Sequence, residues 1–285
     1  MRQLERLSLA FLDAIVAGVS GQRAGPSAAT GIEFADYRPY APGDDLRRID
    51  WHLYSRLGEL MIKVAPEEGH NDLAVLVDAS RSMEYGQADK LWHARRMAAA
   101  LGTVALLRAD SVRVHVLRDG AVESSDRLEG PGLLIALTRE VERLPGGGGT
   151  DLGASLRAYR RQQPPVDLAV LLSDALVDPT DLSAALAELA DSSRAASLLH
   201  VVDRWETGTG LRGEVRLRDK ETGGWMDVDL SSRAAAAYQQ RFQEFCADVA
   251  DRCQAAGVRY LRAPTEVEPL DLLTTGARDI RLVGR

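Results

Sequence analysis

The 285-residue sequence predicts an α/β protein, a mostly parallel sheet with helices on both faces plus an N-terminal extension. Three observations point there. Short uninterrupted apolar runs, "LAVLV" at 73–77, "LAVLL" at 168–172 and "ASLLHVV" at 196–202, read as strands buried on both faces. Stretches of helical composition separate them, so the connections read as right-handed βαβ crossovers. The first two runs end in oxygen-bearing side chains where the apolar pattern stops, and ligand sites of open parallel sheets form at such strand ends.

The elements follow in order. In the opening segment Leu4, Leu7, Ala10, Phe11, Ala14 and Ile15 recur at helical spacing with Glu5 and Asp13 between them. That pattern predicts an amphipathic helix rather than an export signal. Residues 22–70 are dense in Tyr, Trp, Arg and Asp and have no simple period before "LMIKVA" at 60–65, a strand. They hold too little aliphatic material to bury a core alone. Residues 1–70 therefore read as a helix and extension packed on a sheet domain of residues 71–285.

Within that domain, "LAVLVDAS" (73–80) is the first strand and the Ala/Leu-rich 89–110 a helix. Residues 111–126 alternate around Asp119-Gly120, a hairpin pattern. Residues 132–144 are helical, and four glycines at 146–149 open another helix. The strand at 167–174 is followed by a helix over 179–194 with Pro179 and Asp181 at its start, then the strand at 196–203. Polar alternation around Gly223-Gly224 breaks the rhythm and predicts a hairpin insertion at about 211–230. A long helix from Ser231 or Ser232 to Gly257 and the strand "VRYLRA" close the domain.

Composition narrows the function classes. A net charge of −7 argues against wholesale nucleic-acid binding, which needs a basic face. No segment is long and apolar enough to span a membrane. Cys246 and Cys253 lie seven apart in the long helix, about 10 Å at the helical rise, too far for a disulfide. Free thiols suit a reducing compartment, so the expected location is cytoplasmic.

The chemistry concentrates at three places. The first strand ends in Asp78, Ser80 and Ser82, the glycine loop delivers Thr150 and Asp151, and the second strand ends in Ser173 and Asp174. Carboxylates and hydroxyls without His or Cys suit Mg²⁺, Mn²⁺ or Ca²⁺ and do not suit zinc. The order Asp-x-Ser-x-Ser, distant Thr, distant Asp resembles the von Willebrand factor A (vWA) domain and its metal-ion-dependent adhesion site. The resemblance implies that Asp78, Ser80, Ser82, Thr150 and Asp174 hold the metal. It further implies that a carboxylate from a partner protein fills the open position.

The stretch "YRPYAPGDDLRRIDW" (37–51), followed by "SRLGELMIKVAPEE" and "LVDASRSM", is similar to a bacterial family catalogued as domain of unknown function 58. The resemblance runs from about residue 20 to at least 180. It implies a partner, a MoxR-type AAA+ ATPase, and an adaptor or co-chaperone role. Dense mixed charge in 37–51 reads first as internal pairing. Tyr37, Arg38, Tyr40, Arg47, Arg48 and Trp51 also form a candidate docking surface, since Tyr, Trp and Arg dominate binding hot spots.

Enzyme readings fit less well. A haloacid-dehalogenase-type site wants Asp-x-Asp, and the second position here is Ser80. The glycine stretch lacks a Walker A lysine, no Gly-x-Ser-x-Gly elbow occurs, and none of the five histidines sits in a nucleophile motif. The expected function is non-catalytic, divalent-metal-dependent protein binding. The alternatives are a Mg²⁺-dependent hydrolase or phosphoryl-transfer enzyme, and a scaffold with a vestigial metal site.

Overall fold

A computed structural model describes residues 36–40, 49–64, 71–85, 89–149, 151–207, 213–218, 224–230 and 232–273. The expected helix at the N-terminus lies outside the described residues, as do Arg47, Arg48 and Thr150. Two compact units divide the chain, residues 22–70 forming one and the segment from Asn71 onward belonging to the other.

In the smaller unit, β1 (Asp36–Pro39) pairs antiparallel with β2 (Met61–Val64). Between them lies α1 (Trp51–Leu57). Asp50 caps that helix, its Oδ1 accepting from Leu53 N at 3.0 Å. β2 matches the expected strand. β1 carries no apolar alternation, and its pairing through backbone groups is what the sequence did not reveal.

The larger unit begins with β3 (Asp72–Asp78), a 3-10 turn at Arg81–Glu84 and α2 (Lys90–Leu107). The hairpin β4 (Ser111–Arg118) and β5 (Ala121–Ser124) follows, then β6 (Leu128–Glu129) and α3 (Leu134–Glu142). Asp119 and Gly120 both take positive φ, 52° and 71°, as a type I′ turn requires. Next come α4 (Leu152–Gln162), β7 (Val166–Ser173), α5 (Pro179–Asp191) and β8 (Ser193–Val202). The expected insertion is a two-stranded antiparallel hairpin, β9 (Gly213–Arg218) with β10 (Trp225–Leu230). Then α6 (Ser232–Ala255) leads to β11 (Arg259–Pro264).

The sheet order is β11-β8-β7-β3-β4-β5, with β6 also on β4. Pairs among β11, β8, β7, β3 and β4 are parallel; β5 and β6 run antiparallel to β4 along the same edge. The chain therefore leaves β3 first to one side and then to the other, which makes the gap between the carboxyl ends of β3 and β7 a topological switch point.

Strand alternation sorts the core into two layers. Leu73, Val75 and Val77 of β3 pack with Leu91, Met97 and Leu101 of α2 and Leu137 and Val141 of α3. Ala74 and Leu76 face the other way, toward Leu156 and Tyr159 of α4, Leu182 and Leu186 of α5 and Val249 of α6. Both faces being apolar explains why β3 and β7 read as unbroken hydrophobic runs. Cys246 and Cys253 are buried free thiols, as expected from their spacing.

Candidate metal centre

Asp78 is the last residue of β3, and the chain turns immediately. Ser80 forms an isolated parallel bridge with Gly148 of the glycine loop. Arg81 N donates to Gly148 O at 3.0 Å and Gly148 N donates to Ala79 O at 3.2 Å. The same loop is tied to the end of β4, where Gly149 N donates to Asp119 Oδ1 at 2.6 Å. A Cβ on Gly148 would lie 2.5 Å from Arg118 Cβ, so only glycine lets the loop approach this closely. Asp151 ends the loop by capping α4, its Oδ1 accepting from Ala154 N at 2.9 Å. The loop is thereby tied to the β3 end through Gly148.

Asp78 is buried, with Oδ1 accepting from Ser80 N at 3.0 Å and Oδ2 accepting from Ser173 Oγ at 2.7 Å. Ser173 thus spans the switch point, a role the sequence did not disclose beyond its place at a strand end. Its oxygen also accepts from Ala175 N at 3.0 Å. That bond helps hold Ala175 in the left-handed region at φ 53°, a conformation a non-glycine residue adopts only where its surroundings enforce it. The sharp turn brings the neighbouring Asp174 carboxylate to the site. Burial, reinforced by repulsion from Asp174, raises the Asp78 carboxyl to a pKa of about 6.

Ser80 and Ser82 place their hydroxyl oxygens 3.0 Å apart. Adjacent oxygens around an octahedral Mg²⁺ at about 2.1 Å are separated by about 3.0 Å, so the pair has the spacing of one edge of such a shell. Among the described residues no three His, Cys, Asp or Glu side chains cluster as metal ligands. A cation here would depend on the hydroxyls as well as the two carboxylates, as the sequence pattern implies. The described donors are hard oxygens with buried negative charge behind them, and they fit a hard divalent cation.

The structure adds two residues that the sequence reading passed over. Lys90, the first residue of α2, is completely buried and donates from Nζ to Asp174 Oδ2 at 2.6 Å and to Glu206 Oε1 at 2.5 Å. Burial alone would depress the Lys90 ammonium, but Asp174 and Glu206 more than offset it and its pKa lies above the ordinary lysine value. Asp174 Oδ1 accepts from Leu176 N at 3.2 Å. Both Asp174 oxygens therefore accept a hydrogen bond. His200 Nε2 lies 2.9 Å from the Asp174 carbonyl and Nδ1 lies 2.8 Å from Tyr260 Oη. Burial lowers its pKa to about 4, so this ring is neutral at pH 7.

Of the candidate docking residues, Trp51 is 62% exposed and stands edge-to-face with Tyr54 at a centroid distance of 6.2 Å. Tyr40 is half-buried, and its N donates to Leu60 O at 2.8 Å. For Tyr37 and Arg38 the backbone is described, in β1.

A family model described as protein of unknown function DUF58 matches residues 36–248. The chain belongs to this family. An uncharacterized Mycobacterium tuberculosis protein, Rv1480, is 25% identical to it over 278 residues, 93% of this chain and 84% of the relative. Among solved structures, BatB from Bacteroides thetaiotaomicron superposes with a TM-score of 0.46 at 15% identity, covering 74% of this chain and 99% of that one. The SpRpn10 VWA domain superposes with a TM-score of 0.38 at 10% identity, covering 71% and 93%. The DUF58 chain has the mostly parallel α/β sheet with helices on both faces expected of it.

Proposed function

We propose that this DUF58 chain is a non-catalytic, cytoplasmic protein-binding domain that grips its partner through a divalent cation, Mg²⁺ by preference. Asp78, Ser80, Ser82 and Asp174 would hold the cation together with Thr150. The observation that carries the reading is the Ser80–Ser82 hydroxyl pair at 3.0 Å beside a buried Asp78, at the switch point of the sheet. A bound cation would supply a positive point that an acidic side chain of the partner completes. The protein's part is to hold the hydroxyls at the required spacing through the Gly148 bridge and to orient Asp78 through Ser80 N and Ser173 Oγ. Among the described residues neither hydroxyl is bonded to a histidine.

The partner proposed is a MoxR-type AAA+ ATPase, on the strength of the family resemblance. The exposed Trp51–Tyr54 pair would offer a further contact. The test is affinity capture of that ATPase from native lysate by tagged wild type and Asp78→Ala, each in Mg²⁺ and in EDTA. Capture by wild type in Mg²⁺ alone is expected. Equal capture in all four conditions would remove the cation from the contact.

A further inference from the structure

Lys90 stands where a folded chain least accommodates a lysine. Its side chain is wholly buried. It is also the first residue of α2, directly after the Asp89 cap, where the helix dipole disfavours a cation. Two carboxylates hold it there. Asp174 comes from the end of β7, and Glu206 from the segment after β8, where its Oε2 accepts from Asp203 N at 2.9 Å. Formally, Asp78, Asp174 and Glu206 bring three negative charges to the region and Lys90 one positive charge. The carboxylate of buried Asp203, the residue whose backbone N donates to Glu206, adds a further negative charge, so the region carries an excess of acid over base.

We propose that Lys90 is a built-in competitor cation, neutralising Asp174 in the metal-free protein and so setting how tightly a divalent cation is held. The proposal rests on the metal-binding reading above and deepens it. It explains how the fold keeps Asp174 and Glu206 buried without an ion. It also gives Glu206, a residue outside the vWA motif, a part in ion affinity. At an effective dielectric of about 20, a unit charge within about 10 Å of a dication changes its affinity by more than tenfold. A lysine that merely positioned Asp174 would act with the opposite sign, because its loss would let the ligand wander and weaken binding.

The experiment is calorimetric titration of Mg²⁺, repeated with Mn²⁺, into the full chain. Wild type is compared with Lys90→Met, Glu206→Gln and the double variant, with folding checked by circular dichroism. Lys90→Met is expected to tighten the ion Kd at least tenfold, and Glu206→Gln to weaken it. The double variant should bind more tightly than Glu206→Gln alone. Because the double variant keeps the wild-type formal charge, it decides the question if Lys90→Met does not fold. Binding by Lys90→Met where wild type is silent would support the proposal most directly. A folded Lys90→Met that binds no more tightly than a binding-competent wild type would overturn it and leave the metal site standing. Silence from all four proteins would overturn the metal site, and the competitor role with it.

Discussion

The charge on Asp78 makes a measurable claim about the metal-free protein. Its carboxylate is buried between Ser80 N and Ser173 Oγ, and burial with repulsion from Asp174 moves its pKa from 3.8 to about 6. The unfolded chain releases this proton near pH 4, whereas the folded chain holds it to about pH 6. Folding therefore becomes less favourable as pH rises through that interval. At about 1.4 kcal/mol per pH unit, the metal-free protein loses about 3 kcal/mol from this one group by pH 7. Asp78→Asn keeps an oxygen for Ser80 N and removes the charge. In EDTA at pH 7 the variant should be more stable than wild type by up to about 3 kcal/mol, or roughly 6–12 °C in Tm. At pH 4 the two should converge. The difference between the proteins is the quantity to measure by urea unfolding, because titrating groups that do not interact with Asp78 cancel in it. Addition of Mg²⁺ at 100 times its Kd should stabilise wild type by about 2.7 kcal/mol and leave the variant unmoved. A variant no more stable than wild type in EDTA at pH 7 would refute the reasoning.

Two further perturbations follow from the same geometry. Gly148→Ala forces a Cβ to within 2.5 Å of Arg118 Cβ and strains the bridge to Ser80. It should cost about 1–3 kcal/mol in denaturant unfolding and weaken Mg²⁺ binding in calorimetry. His115 and His200 are buried and neutral, their pKa values lowered by burial from 6.5 to about 3 and about 4. Their stabilisation is complete above pH 6.5 and lost as pH falls toward those values, on the order of 5 kcal/mol for His115 and 3 kcal/mol for His200. In the Asp78→Asn background, which removes the opposing carboxylate, the urea midpoint should therefore fall steadily between pH 6.5 and pH 4.

The placement of the motif residues was legible because they are local. Asp78, Ser80 and Ser82 lie within five residues at the end of an apolar run, and Asp174 ends another. Strand periodicity alone puts both groups at carboxyl ends. Lys90 was not legible, since it opens an Ala/Leu-rich helix and looks like an ordinary surface residue of one. Its two acids lie 84 and 116 residues further along the chain. Nor was β1, whose "DYRP" has no strand period and pairs with β2 through the backbone.

The sequence by itself determined the layers, the order of strands and helices, and the hydroxyl-carboxylate pattern at the β3 end. Burial on two faces and on one face leave different periods in the residues, and those periods are local. Tertiary structure alone decided which charges share the interior. Electrostatic energy depends on distance through space, and only the reversal of strand order at β3 brings Asp174 and Glu206 within hydrogen-bond reach of Lys90.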